Sequence, residues 1–258
     1  IRIINMLNAS EFLKELYARL DSQNDNYKGQ ISVADFTNNA FSKIFIEQYK
    51  TFLPKDKNAK ILDIGVGNGW FSSLCVSLGY KHIELMDFGC SKKFSDIKDA
   101  LNEVYAVYDL ETSIQGLLHQ ETFHNQYDFI HMAHVIEHIP KYDLIGTMDS
   151  LNGALKKQGT LFLRTPNLLG PAAFNALYCT GGHEYGFVPS NIEQFLLISN
   201  FEDIQFHNVR TPSKTVGQFV GSLLRKFYSL NAKIKYRAFE GYFPKTVEPE
   251  LIVSSKKI

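Results

Sequence analysis

Short apolar runs alternate with helical patterns along most of the chain from residue 60 onward. The runs predict strands at residues 61–64, 83–86, 104–108, 129–132 and 160–163, with two more near 204–209 and 251–254. Between several of these runs, apolar residues recur every three or four positions, which is typical of helices packed on one face. Strands that alternate with helices form a parallel sheet covered by helices. The pattern therefore predicts an α/β fold.

Three segments depart from this alternation. Two helical patterns early in the chain predict a helical N-terminal cap over residues 1–56, followed by one main domain over residues 57–258. Residues 166–190 are rich in glycine, proline and aromatic residues, which predicts a lid over a site. A second insertion, residues 212–248, contains an amphipathic helix with cationic residues. A solvent-exposed helix face and a contact surface for a phosphorylated or nucleotide-linked carrier both remain open for it.

Two local signals predict where helices begin and end. Gly159 is placed to end the helix that precedes the fifth strand. Ser190 followed by Glu193 predicts a capping box at the start of a later helix. Both predictions depend only on residues close together in the sequence.

Composition excludes several classes of function. The 258 residues contain 27 Lys plus Arg and 27 Asp plus Glu, so the net charge is zero and a nucleic-acid partner is not expected. No apolar run approaches the roughly 18 residues needed to cross a bilayer, and the first residues lack the apolar stretch of a signal peptide. A cytoplasmic protein without a membrane span is therefore expected.

A glycine-rich turn follows the first predicted strand. Gly65, Gly67 and Gly69 alternate with other residues, and Asp63 lies two positions before the first glycine. Glycines let backbone approach a ligand where a Cβ would block it. Trp70 stands where a dinucleotide fingerprint places a small third residue, which disfavours a nicotinamide cofactor.

The acidic residue followed by GxGxG resembles the first motif of the class I S-adenosylmethionine-dependent methyltransferases. The resemblance implies that S-adenosylmethionine is the cofactor and S-adenosylhomocysteine the product. It implies a Rossmann-like, doubly wound, seven-stranded sheet that is mostly parallel, with an antiparallel last strand and with the cap and lid segments added. It also implies that the cofactor's amino-acid part lies against Asp63, Gly65, Gly67 and Gly69.

Two acidic residues after later strands continue this series. Asp87 ends the second strand, where the doubly wound fold offers a carboxylate to a ribose diol, and the resemblance implies the same role. Asp109, after the third strand, matches the adenine-contacting position of the family, with Leu110 supplying a backbone amide. Capping or a surface turn explains each aspartate singly but not the series.

The segment around the fourth strand contains three histidines, His131, His134 and His138. It resembles the same segment of ubiquinone-biosynthesis and small-molecule methyltransferases, which implies that Met132 and Ala133 line the cofactor near its sulfur and that His134 stands where the substrate enters. His134 is a candidate general base, and packing or a cofactor contact is the alternative. A shared metal ion is a further alternative, and we expect no metal.

Acceptor residues are expected beyond the carboxyl ends of strands four and five and in the lid. His183 and Tyr185 are predicted to be catalytic, because a base and a phenol lie between lid glycines, although a surface loop stabilised by its aromatic residues would also explain them. Substrate contacts are predicted for Arg164, Asn167 and Glu184. An internal salt bridge is an equally good explanation for Arg164.

The sequence therefore predicts an S-adenosylmethionine-dependent methyltransferase that methylates an oxygen of a sugar, a phosphate-type group or another small molecule. Residues 164–167 and 182–185 also resemble methyltransferases of bacterial surface-polysaccharide clusters, which implies capsule or surface-polysaccharide biosynthesis. The expected partner is a small-molecule or glycan-type acceptor, with an anionic or nucleotide-linked acceptor left open. The alternatives are a binding or scaffold protein without turnover and a nicotinamide-dependent oxidoreductase.

Overall fold

The computed structural model describes residues 48–67, 69–87, 104–110, 113–171, 173–208 and 215–258. Residues 1–47, which form most of the predicted N-terminal cap, lie outside the described residues. Of the same predicted cap, Tyr49 and Leu53 are buried in the core of the main domain.

Strands and helices alternate as far as the lid. The strands are β1 (Lys60–Ile64), β2 (His82–Asp87), β3 (Val104–Asp109), β4 (Tyr127–Ala133), β5 (Leu155–Pro166), β6 (Phe201–His207) and β7 (Glu250–Lys257). The helices are α1 (Trp70–Ser77), α2 (Ile114–Leu118), α3 (Leu144–Ala154), α4 (Ala173–Tyr178), α5 (Pro189–Ile198) and α6 (Val216–Glu240). Short 3-10 turns cover Glu121–Phe123, Ile136–His138 and Lys141–Asp143.

The described strands form one seven-stranded sheet in the order β3-β2-β1-β4-β5-β7-β6. Strands β1 to β5 pair in parallel, whereas β7 is antiparallel to both β5 and β6. This confirms the predicted Rossmann-like sheet with an antiparallel last strand. The order reverses between β1 and β4, and ligands of such sheets bind beyond the carboxyl ends of the strands at that point.

Two local predictions were wrong, the helix end at Gly159 and the capping box of Ser190 with Glu193. Helix α3 ends at Ala154, and Gly159 lies inside β5 at a shift in the β4–β5 register. A Cβ on Gly159 would lie 3.0 Å from the carbonyl oxygen of Tyr127, so glycine permits a close approach of the two strands. At α5 the Asn191 side chain accepts the Val188 N–H at 2.8 Å, whereas Glu193 pairs with Lys245.

An aromatic cluster lies beneath the carboxyl ends of the central strands. Phe162 of β5 is fully buried, with ring centroids 4.9 Å from Tyr49, 5.1 Å from Phe52 and 5.8 Å from His131. Phe71 of α1 stacks on His131 at 3.7 Å. Because these rings pack from different elements, the cluster holds the helix of the glycine turn and the segment at residue 49 against the sheet.

Replacing Phe162 with Ala should lower the free energy of unfolding by about 3 to 5 kcal/mol, because the truncation leaves a cavity among rings that cannot collapse into it. Urea unfolding followed by circular dichroism measures the change. The control is Phe174→Ala in α4, where the side chain is 83% exposed and the expected change is within about 0.5 kcal/mol. Equal effects in the two variants would contradict this assignment of the core.

Candidate functional site

The glycine turn after β1 has a backbone that strongly favours glycine. Gly65, Gly67 and Gly69 all have positive φ angles, of 73°, 56° and 73°. The Gly65 N–H donates to the Met86 carbonyl at 2.9 Å, which ties the turn to β2. A Cβ on Gly65 would lie 2.1 Å from Cγ2 of Val135, so this glycine also permits a close approach to the segment after β4.

Asp87 meets the glycine turn directly. Its Oδ2 accepts the Gly67 N–H at 3.1 Å. The structure therefore brings together the two features that the sequence separates by 20 residues, the GxGxG segment and the carboxylate at the end of β2. The side chain of Asp87 is partly exposed, which leaves it accessible to a ligand.

Asp63 is held in a buried network below the turn. One carboxylate oxygen accepts the Ser72 hydroxyl at 2.6 Å, and the other lies 2.8 Å from Nδ1 of His131. Nε2 of His131 lies 3.3 Å from the Tyr49 hydroxyl. This pairing was not expected from the sequence, because only the β1–β4 register makes Asp63 and His131 direct neighbours.

Two of the expected cofactor contacts, at Leu110 and Met132, are engaged or buried within the protein. The Leu110 amide already donates to the Asp87 carbonyl at 2.9 Å, so it is engaged within the protein. Met132 is fully buried in the core, whereas its neighbour Ala133 lines the cavity described next. Asp109 lies opposite Asp87 in the β2–β3 register, and its side chain is outside the described part of the structure.

A cavity of about 250 Å³ opens beside the glycine turn at the carboxyl ends of β1 and β4. Its walls combine backbone of the turn with ionisable and aromatic side chains. The residues that line it are Asp63, Gly65, Val66, Gly67, Trp70, Phe71, His131, Ala133, His134 and Arg164.

His134 lies between two carboxylates at the mouth of this cavity. Nδ1 is 3.3 Å from Glu137 and Nε2 is 3.4 Å from Glu250, and the backbone has a positive φ of 56°. Burial lowers the pKa of the imidazole, but the two carboxylates outweigh it and raise the pKa to about 9. His134 is therefore cationic at neutral pH. A general base must be unprotonated, so the structure argues against that role for His134.

Arg164 forms an internal salt bridge, the alternative that the sequence left open. Its Nε and Nη2 atoms both lie 2.5 Å from one oxygen of Glu250, the first residue of β7. Burial raises the pKa of Glu250, but hydrogen bonds and charge from His134 and Arg164 lower it overall. Arg164, Glu250, His134 and Glu137 thus form a chain of alternating charges along one wall.

Asn167 does not present its amide to the cavity. It is buried, its Nδ2 donates to the Glu248 carbonyl at 2.7 Å, and its Oδ1 accepts the Leu169 N–H at 3.0 Å. Nδ2 therefore holds the lid segment to the residues before β7, and Oδ1 fixes the turn of the lid at Leu169. The predicted substrate contact is replaced by this structural role.

A histidine of the turn after β4 and a histidine of the lid come together beside Glu137. The rings of His138 and His183 are 4.7 Å apart. Nδ1 of His138 lies 2.8 Å from the Gly182 carbonyl, and Nδ1 of His183 lies 2.8 Å from the Ala176 carbonyl. Because a carbonyl only accepts, each Nδ1 carries a proton, and Nε2 of a neutral ring then carries the lone pair. Burial lowers the pKa of His138, which favours the neutral ring.

The other two lid residues differ in exposure. Tyr185 is partly buried against Phe187 and Phe195, at 5.2 Å and 6.0 Å between ring centroids. Glu184 is exposed, and its N–H donates to the Glu137 carbonyl at 2.7 Å. The lid is thus fastened to the segment after β4 through the backbone of Glu137.

Glu137, His138 and His183 place three possible metal ligands within 4.8 Å of one another. Two histidines and a glutamate are a known zinc donor set. The Glu137 carboxylate also accepts the Thr165 hydroxyl at 3.0 Å and is paired with His134. The structure does not bring together His131, His134 and His138, the triple considered from sequence, because His131 pairs with Asp63. That the site binds no metal stays a prediction.

A family model described as a methyltransferase domain matches residues 38–211. The chain belongs to this methyltransferase family. A search among curated proteins found no significant match to the chain. The sheet order, the glycine turn and the position of Asp87 therefore describe a methyltransferase domain.

Solved structures show the same fold for this methyltransferase. A SAM-dependent methyltransferase from Archaeoglobus fulgidus has a TM-score of 0.57 at 17% identity, over 83% of this chain and 94% of that chain. Phosphoethanolamine N-methyltransferase 2 from Haemonchus contortus, in complex with phosphomonomethylethanolamine and S-adenosylhomocysteine, has a TM-score of 0.54 at 19% identity, over 89% and 59%. The 1,6-didemethyltoxoflavin-N1-methyltransferase of Burkholderia thailandensis has a TM-score of 0.54 at 12% identity, over 96% and 86%.

The charge of His134 predicts a pH-dependent stability of the methyltransferase. Its pKa of about 9 in the folded protein exceeds the ordinary histidine value of 6.5, so the stabilisation is fully present below pH 6.5 and is lost as pH rises through about 9. His134→Gln should therefore destabilise the protein at pH 6 but not at pH 10. The difference should not exceed about 1 kcal/mol, because the half-exposed side chain is screened by solvent.

Urea unfolding of both proteins across this pH range measures the difference, and NMR of the His134 ring protons measures the titration itself. A His134 midpoint below pH 7 would show that the two carboxylates do not stabilise its cationic form.

Proposed function

We propose that this chain is an S-adenosylmethionine-dependent methyltransferase acting on an oxygen of a small-molecule or glycan-type acceptor. The observation that carries the cofactor assignment is the hydrogen bond from Gly67 to Asp87. It places the accessible Asp87 carboxylate beside the glycine turn, at the point where the strand order reverses. A Cβ on Gly65 of this turn would clash with Val135. The solved relatives in complex with S-adenosylhomocysteine support the same cofactor.

The cavity fits the cofactor by its chemistry. Backbone at Gly65 and Gly67, above the buried Asp63, would hold the amino-acid part. Asp87, which accepts the Gly67 N–H beside the cavity, would accept from the ribose hydroxyls. Ala133 lines the same cavity with a small side chain, which would leave room for the cofactor. S-adenosylmethionine supplies a methyl group on a positively charged sulfur, and the protein has only to align the acceptor and manage its proton.

The acceptor side combines a proton acceptor with cationic groups. His183 would take the proton of a hydroxyl at Nε2, because its Nδ1–H is held by the Ala176 carbonyl. We assign the general-base role to His183, with Tyr185 and Glu184 beside it in the lid. His134, cationic at the cavity mouth, would attract an anionic acceptor such as a phosphorylated or nucleotide-linked sugar. Such acceptors suit a role in the synthesis of bacterial surface polysaccharides.

Gly65→Ala tests the cofactor site, with Gly79→Ala as a matched control. Both glycines have positive φ, 73° and 84°, so both variants pay about 1 to 2 kcal/mol of backbone strain. Nothing lies within 4 Å of a Cβ on Gly79, whereas one on Gly65 meets Val135. Calorimetric titration with S-adenosylhomocysteine should show at least about tenfold weaker binding for Gly65→Ala and unchanged binding for Gly79→Ala.

The same titration with NADH separates the alternatives. Binding of NADH but not of S-adenosylhomocysteine to ligand-free wild-type protein would replace the cofactor assignment with a nicotinamide site. Binding of neither would leave a scaffold protein without turnover.

His183→Ala tests the base. Turnover is measured with tritiated S-adenosylmethionine on the best acceptor from a panel of nucleotide sugars and sugar phosphates. The rate constant kcat should fall about 100-fold or more, because a positioned base contributes about that much, while S-adenosylhomocysteine binds as before. His138→Ala is the comparison, because His138 lies beside His183 and its Nδ1 is held by a different carbonyl, that of Gly182. Unchanged turnover in His183→Ala would exclude the base assignment.

A further inference from the structure

Helix α6 is long, well capped and largely exposed, although near its end Tyr236 contacts the ring of Tyr242 and Arg237 lies over the ring of Phe243. It covers 25 residues, and none of them is buried. Thr215 and Gln218 cap its start reciprocally at 3.2 Å, and Gly241, with a φ of 77°, ends it. Local signals define this helix, whereas most protein helices depend on burying an apolar face.

One face of α6 is apolar and exposed. At 100° per residue, its large apolar side chains cover about half of the circumference over the first five turns. Phe227 is 63% exposed and Val216 is 82% exposed. The exposed residues of this face are Val216, Phe219, Val220, Leu223, Leu224, Phe227, Tyr228, Leu230 and Ile234. A stripe of this width is broader than a coiled-coil seam and suits a flat apolar partner.

The charges of α6 are almost all of one sign. Arg225, Lys226 and Lys233 lie on the polar face, and Lys235 and Arg237 border the apolar face near its end. Glu240 is the one acidic residue of the helix. A second copy of the same helix would bring like charges together, whereas an anionic surface would complement them.

We propose that α6 is an interfacial helix that binds an anionic lipid surface, with its apolar face among the acyl chains and its cations among the headgroups. This is the composition of helices that lie in the plane of a membrane. None of the described helices is long and apolar enough to cross a bilayer. The inference concerns where the protein acts and does not depend on the proposed reaction.

The position of α6 in the chain connects it to the acceptor side of the site. Glu240 ends α6, and Glu250, ten positions later, contacts both His134 and Arg164. Between them, the Glu248 carbonyl holds Asn167 of the lid. A helix bound to lipid would therefore hold the lid side of the cavity near the membrane, where a membrane-associated acceptor would be presented.

Vesicle sedimentation of the full chain tests the proposal. The protein should pellet with vesicles of phosphatidylglycerol mixed with phosphatidylcholine, and less with phosphatidylcholine alone. Binding to the mixed vesicles should weaken as the sodium chloride concentration rises, because salt screens the cationic helix from the headgroups.

Two double variants of equal charge locate the contact. Leu223→Gln with Phe227→Gln removes apolar area and should weaken vesicle binding at least about tenfold. Ser222→Gln with Ser229→Gln changes the opposite face and should bind as the wild type does. Circular dichroism and thermal unfolding verify that both variants are folded, and neither pair lies in the cofactor or acceptor site.

Three results would overturn the proposal. The first is wild-type protein that does not pellet with anionic vesicles. The second is equal binding by the two double variants. The third is a dimer in sedimentation velocity that only the Leu223→Gln, Phe227→Gln variant dissociates and that does not bind vesicles, which would assign the face to a second copy of the chain.

Discussion

The buried hydrogen bond between Asp63 and His131 is the interaction on which the site depends. It joins β1 to β4 where the strand order reverses, and it lies beneath both the glycine turn and the cavity. A buried carboxylate that loses its partner costs about 3 to 5 kcal/mol, so Ser72, His131 and Tyr49 together fix the position of β1's end. The turn can then approach a ligand with its backbone alone, because the charge beneath it is already satisfied.

The fold was largely predictable because its signals are local. Apolar runs and helical spacing indicated the strands and helices, and the seven-stranded, mostly parallel sheet with an antiparallel last strand followed from the family that the glycine motif indicates. The failures at Gly159 and Ser190 were also local. Gly159 is required by a close approach of β5 to Tyr127, and Asn191 took the capping role that Ser190 and Glu193 were expected to share. The sequence shows that a glycine is present, but it does not show which close contact between strands requires that glycine.

The site was less predictable, because its decisive contacts join residues far apart in the chain. Asp63 and His131 are 68 positions apart, and Arg164 and Glu250 are 86 positions apart. No spacing rule links such residues, and only the register of paired strands brings them together. His134 was expected to be a base for the same reason. Whether a histidine is neutral or charged depends on its neighbours, and the sequence does not show that Glu137 and Glu250 lie beside His134.

The last strand connects the chemistry of the site to the surface of the protein. Glu250 begins β7 and neutralises Arg164 and His134 together, so the charge of the cavity mouth depends on a segment that directly follows α6. A displacement of that segment would separate Glu250 from two cations and leave the mouth more positive. An anionic acceptor that binds His134 in place of Glu250 would also separate Glu250 from this cation. In the ligand-free protein Glu250 thus balances the charges of His134 and Arg164. Moving this one carboxylate would make both cations available to a ligand.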